Sequence, residues 1–445
     1  MTLTSNKPET TPVSEAQQEF NWRNCWYPVT FTQDLPKNLP YGFTLYDEPI
    51  VLFRNSEGKL VCLRDLCPHR AAKLSDGQII DGQIECLYHG WQFGSEGECL
   101  HIPQLPEDAK IPANSCVQSY RVVECQGTIW MWAGDPESAD EKSIPIVTDL
   151  ETPGLVIIDT VTDLPYDPTY LVENLLDPAH VPISHDRTEL RARREDARPL
   201  EMEILSVSAR GIEARYRSNI KPNNVNWLDL EFIAPCLVHY IFAKGVPSIV
   251  GGLALYAIPL GQGRSRILIR RYGNFFSWSF KSKPRWLEHL RQNKILEEDL
   301  FLILGQEKYI KQSGKSLKKA YLPLNTSDMF LMEYHKWVDK FAPDLPCYQG
   351  YSTSKGNENH RLEKVPLDRF SRHTKICSSC NRAYKVTNRV KQISIGLAIA
   401  LFATATLADN STIKIVAVSI SLLAIVTAIV TQIIKTKFEV SYTRH

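Results

Sequence analysis

The sequence predicts an α+β chain in three parts: an N-terminal antiparallel β domain, a second domain of antiparallel sheet plus helices, and a C-terminal pair of apolar helices. Three observations carry that reading. Short apolar or alternating stretches broken by glycine-containing turns fill residues 22–135. A helix-like stretch runs from Trp286 to Ile310, and two apolar runs, Ile393 to Ala408 and Ile415 to Ile434, close the chain. The divisions are placed at a lead-in (1–21), a first domain (22–135), a linker (136–150), a second domain (151–345), a connector (346–390), a transmembrane helical hairpin (391–436) and a tail (437–445).

Composition narrows the function. The 445 residues are 43% hydrophobic and 23% charged, the make-up of an ordinary globular protein. A net charge of +1 argues against a large nucleic-acid surface. Eleven cysteines in so long a chain make no disulfide framework, and their scatter fits reduced thiols in a cytosol-like compartment. Met1 to Phe20 is polar, with Glu9, Glu15 and Glu19. It has neither the apolar stretch of a secretory signal nor the acid-poor look of a transit peptide, so a disordered lead-in is expected.

In the first domain, Ile50 to Arg54 and Leu60 to Leu63 flank Asn55-Ser56-Glu57-Gly58 and read as a hairpin; Thr128 to Trp132 reads as a further strand. Between them lies Cys67-Pro68-His69, then sixteen residues, then Cys86-Leu87-Tyr88-His89. Two thiolates and two imidazoles at C-x-H and C-x-x-H spacing fit a Rieske 2Fe-2S cluster, with the cysteines on one iron and the histidines on the other. A structural Cys2His2 zinc site is the alternative, but such sites usually pair cysteine with cysteine and histidine with histidine. Ala72 and Tyr88 stand near the places where respiratory Rieske proteins carry an extra disulfide, which points to an oxygenase or ferredoxin type.

The second domain holds Glu173-Asn174-Leu175-Leu176-Asp177-Pro178-Ala179-His180-Val181-Pro182-Ile183-Ser184-His185. Histidines five apart diverge by about 140° on a continuous helix. Pro182 should bend or end the helix and let the rings converge. Two histidines and a carboxylate make the open-sided ligand set of O2-activating Fe(II) enzymes. Asp299 is the candidate third ligand, because Ile295, Leu296, Leu302 and Ile303 surround it on its face and a buried unpaired carboxylate is costly. Glu297 and Glu298 have Lys294 within reach and read as surface charge. Trp227, Phe232, Tyr240, Phe242, Phe275 and Trp278 read as core, or else as the wall of a pocket.

In the tail, Cys377-Ser378-Ser379-Cys380 has the form of half a zinc site, but no second C-x-x-C completes it, so a redox-active pair is the better reading. The apolar run 415–434 is long enough to span a membrane, while 393–408 is short. Lys385, Arg389, Lys391, Lys435, Lys437 and Arg444 put positive charge at one end of the hairpin. That predicts both ends on the cytoplasmic or stromal side, with the catalytic domain. A buried helical hairpin of a soluble domain is the alternative.

Trp26-Tyr27-Pro28-Val29, the two cluster loops, the His180/His185 motif, Gly305-Gln306-Glu307-Lys308 and Leu367-Asp368-Arg369-Phe370 leading to Cys377 and Cys380 together resemble the Rieske non-haem iron oxygenases. More narrowly they resemble the pheophorbide a oxygenase group, which includes TIC 55-like proteins. The resemblance implies a helix-grip-like catalytic domain and a 2Fe-2S cluster on Cys67, His69, Cys86 and His89. It also implies a mononuclear Fe(II) on His180, His185 and Asp299. Asp177 would link His180 to His89 of the partner subunit in a homotrimer, and Asn174 would stand near the iron. It further implies ferredoxin as reductant, O2 and a tetrapyrrole-like substrate, membrane lipid around the hairpin, and thioredoxin as a partner of Cys377 and Cys380. The lack of a transit-peptide pattern favours a thylakoid over a plastid envelope. A TIC 55-like redox-sensing electron carrier is the alternative function.

Overall fold

The computed structural model describes residues 20–106, 108–189, 192–218, 227–242, 249–275, 283–346, 348–352 and 366–443. Most of the lead-in, Trp278 and Arg444 lie outside them.

The N-terminal domain is built from small antiparallel sheets. Trp26–Phe31, Thr128–Trp132 and Val122–Cys125 form one, and Tyr41–Leu45, Glu48–Arg54 and Leu60–Arg64 form another. The expected hairpin is present, with Arg54 opposite Leu60. Asn55 Oδ1 closes its turn by accepting the N–H groups of Glu57 and Lys59, and Gly58 takes the required left-handed backbone at φ 77°. Gln78–Ile80, Gln83–Glu85, Gln92–Phe93 and Cys99–His101 make a third sheet, from which the two cysteine-histidine loops project.

In the second domain, seven described strands form one antiparallel sheet with Val156–Leu164 at one edge and Leu200–Ser208 at the other. Helices α1 (Pro168–Leu175), α2 (Val181–Ser184), α3 (Arg285–Ser313) and α4 (Met329–Phe341) accompany it. Tyr166, Val172, Ile267, Leu300, Ile303, Tyr334 and Trp337 belong to the core between sheet and helices. Asp163 lies opposite Arg266, and Asp159 opposite Arg270, on neighbouring strands. Arg266 also donates to Val29 O, and Arg270 to Gln126 O, so these buried cations are satisfied by groups of the N-terminal domain and fasten it to the sheet edge.

The C-terminal helices are α5 (Ser378–Leu407) and α6 (Ser411–Glu439), joined by a short turn whose Asn410 caps α6 through Thr412 N–H and Ile413 N–H. The first is 30 residues long, not a short apolar run: the polar stretch before Ile393 has neither Gly nor Pro and continues the helix back to Ser378. The proposed boundary at residue 390 therefore cuts through α5. Ile393, Ile399, Phe402, Leu423 and Ile433 are exposed, so the apolar surface of the pair is not covered by the other described residues. That disfavours a buried hairpin within a soluble domain.

Candidate metal centres

The two Rieske-type loops use one backbone turn twice. Cys67 N–H donates to Ala72 O at 2.8 Å, and Cys67 O accepts from Ala71 N–H at 2.9 Å. Cys86 N–H donates to Trp91 O, and Cys86 O accepts from Gly90 N–H, both at 2.9 Å. Each turn needs a left-handed residue at the same place, Ala71 (φ 58°) and Gly90 (φ 75°). The turns bury both thiols and leave the imidazoles at a half-exposed tip. The rings of His69 and His89 lie 4.3 Å apart, and His69 stacks on Trp91 at 4.8 Å. Nδ1 of His69 is buried without a hydrogen-bond partner among the described residues, an arrangement that fits a nitrogen meant for a metal. Burial pushes the Cys67 thiol up to about 11, so a thiolate there needs a cationic partner such as iron.

The second centre forms where α1 ends. Leu176 leaves the helix, and His180 and His185 cap the two ends of α2, with ring centroids 5.3 Å apart. Asp299 enters from α3, its Oδ2 3.1 Å from His185 Nε2 and 3.6 Å from His180 Nε2. One ligand atom from each of the three lies within 4.8 Å of the others. The remaining nitrogens are held from behind: His180 Nδ1 donates to Asp177 O at 2.5 Å, with Asp177 Oδ2 at 3.4 Å, and His185 Nδ1 donates to Glu298 Oε2 at 3.0 Å. Asn174 Nδ2 donates to Asp299 Oδ2 at 3.2 Å. Burial opposes charge on His180, but Asp177 and Asp299 overcome it and push its pKa up to about 10; burial likewise opposes Asp299, which the two imidazoles hold well below the usual carboxylate range. Two imidazole nitrogens and a carboxylate oxygen converging on one point, with the far ring nitrogens held from behind, form a donor set suited to a divalent metal. A cavity of about 450 Å³ opens beside them, walled in part by Leu302, Tyr321, Leu322, Leu331 and Met332.

Comparison with known proteins agrees with both centres. A Rieske [2Fe-2S] domain model matches residues 25–121, and a pheophorbide a oxygenase model matches residues 232–316. Chloroplastic TIC 55 of Pisum sativum is 37% identical over 430 residues, covering 89% of this chain and 77% of that protein. The chain belongs to the pheophorbide a oxygenase and TIC 55 family of Rieske non-haem iron oxygenases. Chloroplastic pheophorbide a oxygenase of Oryza sativa subsp. japonica is 30% identical over 433 residues, covering 89% of this oxygenase and 80% of that one. The crystal structure of dicamba monooxygenase bound to dicamba superposes with a TM-score of 0.59 at 25% identity, over 72% of this chain and 97% of that one. The cofactors of this Rieske oxygenase are accordingly a 2Fe-2S cluster and a mononuclear non-haem iron.

Several sequence expectations need correction. Pro182 stands in the first turn of α2 rather than ending a helix, because its missing N–H falls where no intrahelical partner is needed. Glu297 and Glu298 are buried, not surface charge. Glu297 accepts from Arg369, Arg372 and Tyr442 N–H, while Lys294 lies over the Tyr442 ring instead of pairing with either glutamate. Glu298 orients His185. The clue to it was chemical, not periodic: an iron-binding imidazole usually donates its second N–H to an acceptor. Phe232 packs on Tyr334 and Trp337 in the core, and Trp227 is flanked by Arg215 and Arg217; the aromatics at the cavity are Tyr170 and Tyr321. Cys377 and Cys380 do not stand alone: His289 and His373 are buried against them.

Proposed function

We propose that this oxygenase is anchored in a thylakoid or plastid-envelope type of membrane and oxygenates a lipophilic, chlorophyll-derived tetrapyrrole, using O2 and electrons from a ferredoxin-type reductant. The observation that carries the reading is the convergence of His180, His185 and Asp299 beside the 450 Å³ cavity. The substrate class is supported by the similarity to a relative named for pheophorbide a, and the membrane by two helices long and apolar enough to cross one.

When bound, the cluster supplies electrons and the iron supplies the reduction of O2. The protein's own residues orient and gate that chemistry. Asp177 fixes the His180 ring through its carbonyl, and we read its part-exposed carboxylate as the acceptor for His89 of the partner subunit in a ring-shaped homotrimer. Leu87 and Tyr88, 61% and 60% exposed beside His89, give the cluster tip the apolar surface such a contact uses. Asn174 holds Asp299 in place. The basic residues Lys385, Arg389, Lys391, Lys435 and Lys437 gather at the catalytic-domain ends of α5 and α6, which supports both ends lying on the cytoplasmic or stromal side.

A second reading is favoured by the 37% identity to TIC 55: a redox-sensing electron carrier that uses the cluster, with Cys377 and Cys380 as a thioredoxin-reduced pair. Iron analysis separates the two, with about three irons per chain for the oxygenase and about two for the carrier. In the oxygenase, His180→Ala abolishes incorporation of labelled O2 into a tetrapyrrole panel and leaves the Rieske spectrum intact. Full turnover by that variant would refute the site.

A further inference from the structure

We propose that His289, His373, Cys377 and Cys380 form a closed, four-coordinate zinc site that clips the membrane hairpin to the catalytic domain. The four side chains come from α3, from the turn before α5, and from the first turn of α5, and all are at most 1% exposed. One donor atom from each lies within 4.8 Å of every other. Cys380 Sγ is 3.2 Å from His373 Nε2 and 3.5 Å from His289 Nδ1, and Cys377 Sγ is 3.4 Å from His289 Nδ1. With Zn–S of about 2.3 Å and Zn–N of about 2.0–2.1 Å at tetrahedral angles, sulfur-to-nitrogen separations come to about 3.5 Å.

The tautomers are set from outside the cluster. His289 Nε2 donates to Asp159 O at 2.8 Å, and His373 Nδ1 donates to Val161 O at 2.6 Å. Both rings therefore turn an unprotonated nitrogen toward the thiols, the backing that metal-bound imidazoles require. Both carbonyls belong to one strand, Val156–Leu164, so the sheet edge itself aims the ligands.

Charge fits as well. Two thiolates and a divalent cation sum to zero, which suits so dry a place. Arg285 Nη2, 3.2 Å from Cys377 Sγ, is already neutralised by Asp34, which also accepts the Ser378 N–H. Cys377 sits at the N-cap of α5 and Cys380 in its first turn, where a helix favours thiolate. The site is separate from the iron: His289 precedes Asp299 by ten residues on α3, about 15 Å along the axis. No position is left open to solvent, which marks a structural rather than a catalytic zinc.

Metal analysis of the full chain, purified in detergent with chelator present throughout, should find about one zinc per chain beside the iron. Zinc-edge X-ray absorption on the unaltered protein should show two sulfur and two nitrogen neighbours. Cys377→Ser with Cys380→Ser should lose the zinc and keep the Rieske electron-spin signal, whereas His180→Ala should retain it. A zinc surrounded only by nitrogen and oxygen, a zinc lost with His180→Ala, or a Cys377–Cys380 disulfide in zinc-free protein would each overturn the proposal.

Discussion

Glu298 shows how much of the candidate iron site is set one residue away from a candidate ligand. Its Oε2 holds His185 Nδ1 at 3.0 Å, and its Oε1 is itself fixed by Thr188 Oγ1 at 2.7 Å. Removing such a backing group commonly costs about 10–100-fold in metal affinity. Glu298→Ala should therefore release mononuclear iron to a chelator at a concentration lower by about that factor, with the Rieske signal as internal control; unchanged retention would show that the carboxylate merely fills space. The burial of Asp299 and its place beside His180 and His185 agree with the expectation drawn from its apolar neighbours, of which Ile295 and Ile303 are buried, although Leu302 is 61% exposed on the cavity rim. Its two acidic neighbours were misread because local sequence shows charge but not the distant Arg369, Arg372 and His185 that satisfy it.

Helix α3 is the element on which the molecule turns. It carries His289, Glu297, Glu298, Asp299 and Glu307 as buried polar residues, each paired with another part of the chain, Glu307 with the N–H of Asp167. A periodic apolar stripe is therefore a poor guide to its buried face. Glu307 is the one with a readable pH signature. Burial, then the nearby Asp167 carboxylate, raise its pKa from 4.5 to about 7 against the pull of Lys311. The folded state thus binds this proton more tightly than the unfolded one. The resulting stabilisation is complete below pH 4.5, and is lost as pH rises through about 7. Glu307→Gln should flatten that decline, by on the order of 3 kcal/mol at most, in unfolding curves taken across the interval. An unchanged slope would mean that Lys311 keeps Glu307 ionised throughout.

On the scale of the whole molecule, two buried arginines on the strand next to the sheet edge fasten the Rieske domain, and α5 and α6 extend an apolar surface that none of the described residues covers. Arg369, between Glu297 of α3 and Lys437 O of α6, ties the base of the hairpin to the helix that carries Asp299. If the hairpin spans a bilayer, its turn emerges on the face opposite the catalytic domain. Asp409→Cys, at the exposed turn, should react with a membrane-impermeant maleimide only from that opposite face, while the exposed Cys116 of the Rieske domain reports the catalytic face. Labelling of both from one side would remove the spanning arrangement and leave an apolar arm lying on the surface.

The chain's order of residues by itself determined the two cofactors, the α+β class and the apolar hairpin. Those properties rest on short spacings, such as Cys67 to His69 and His180 to His185, or on long runs of one character. Only the tertiary structure decided which carboxylate orients His185, why Glu297 is buried, and that Cys377 and Cys380 meet His289 and His373. Except for His373, which lies close to the two cysteines in sequence, each of those contacts joins elements far apart along the chain. Burying such groups costs free energy unless each meets a partner that offsets the lost hydration, and no local pattern records which partner a buried charge or lone pair will meet.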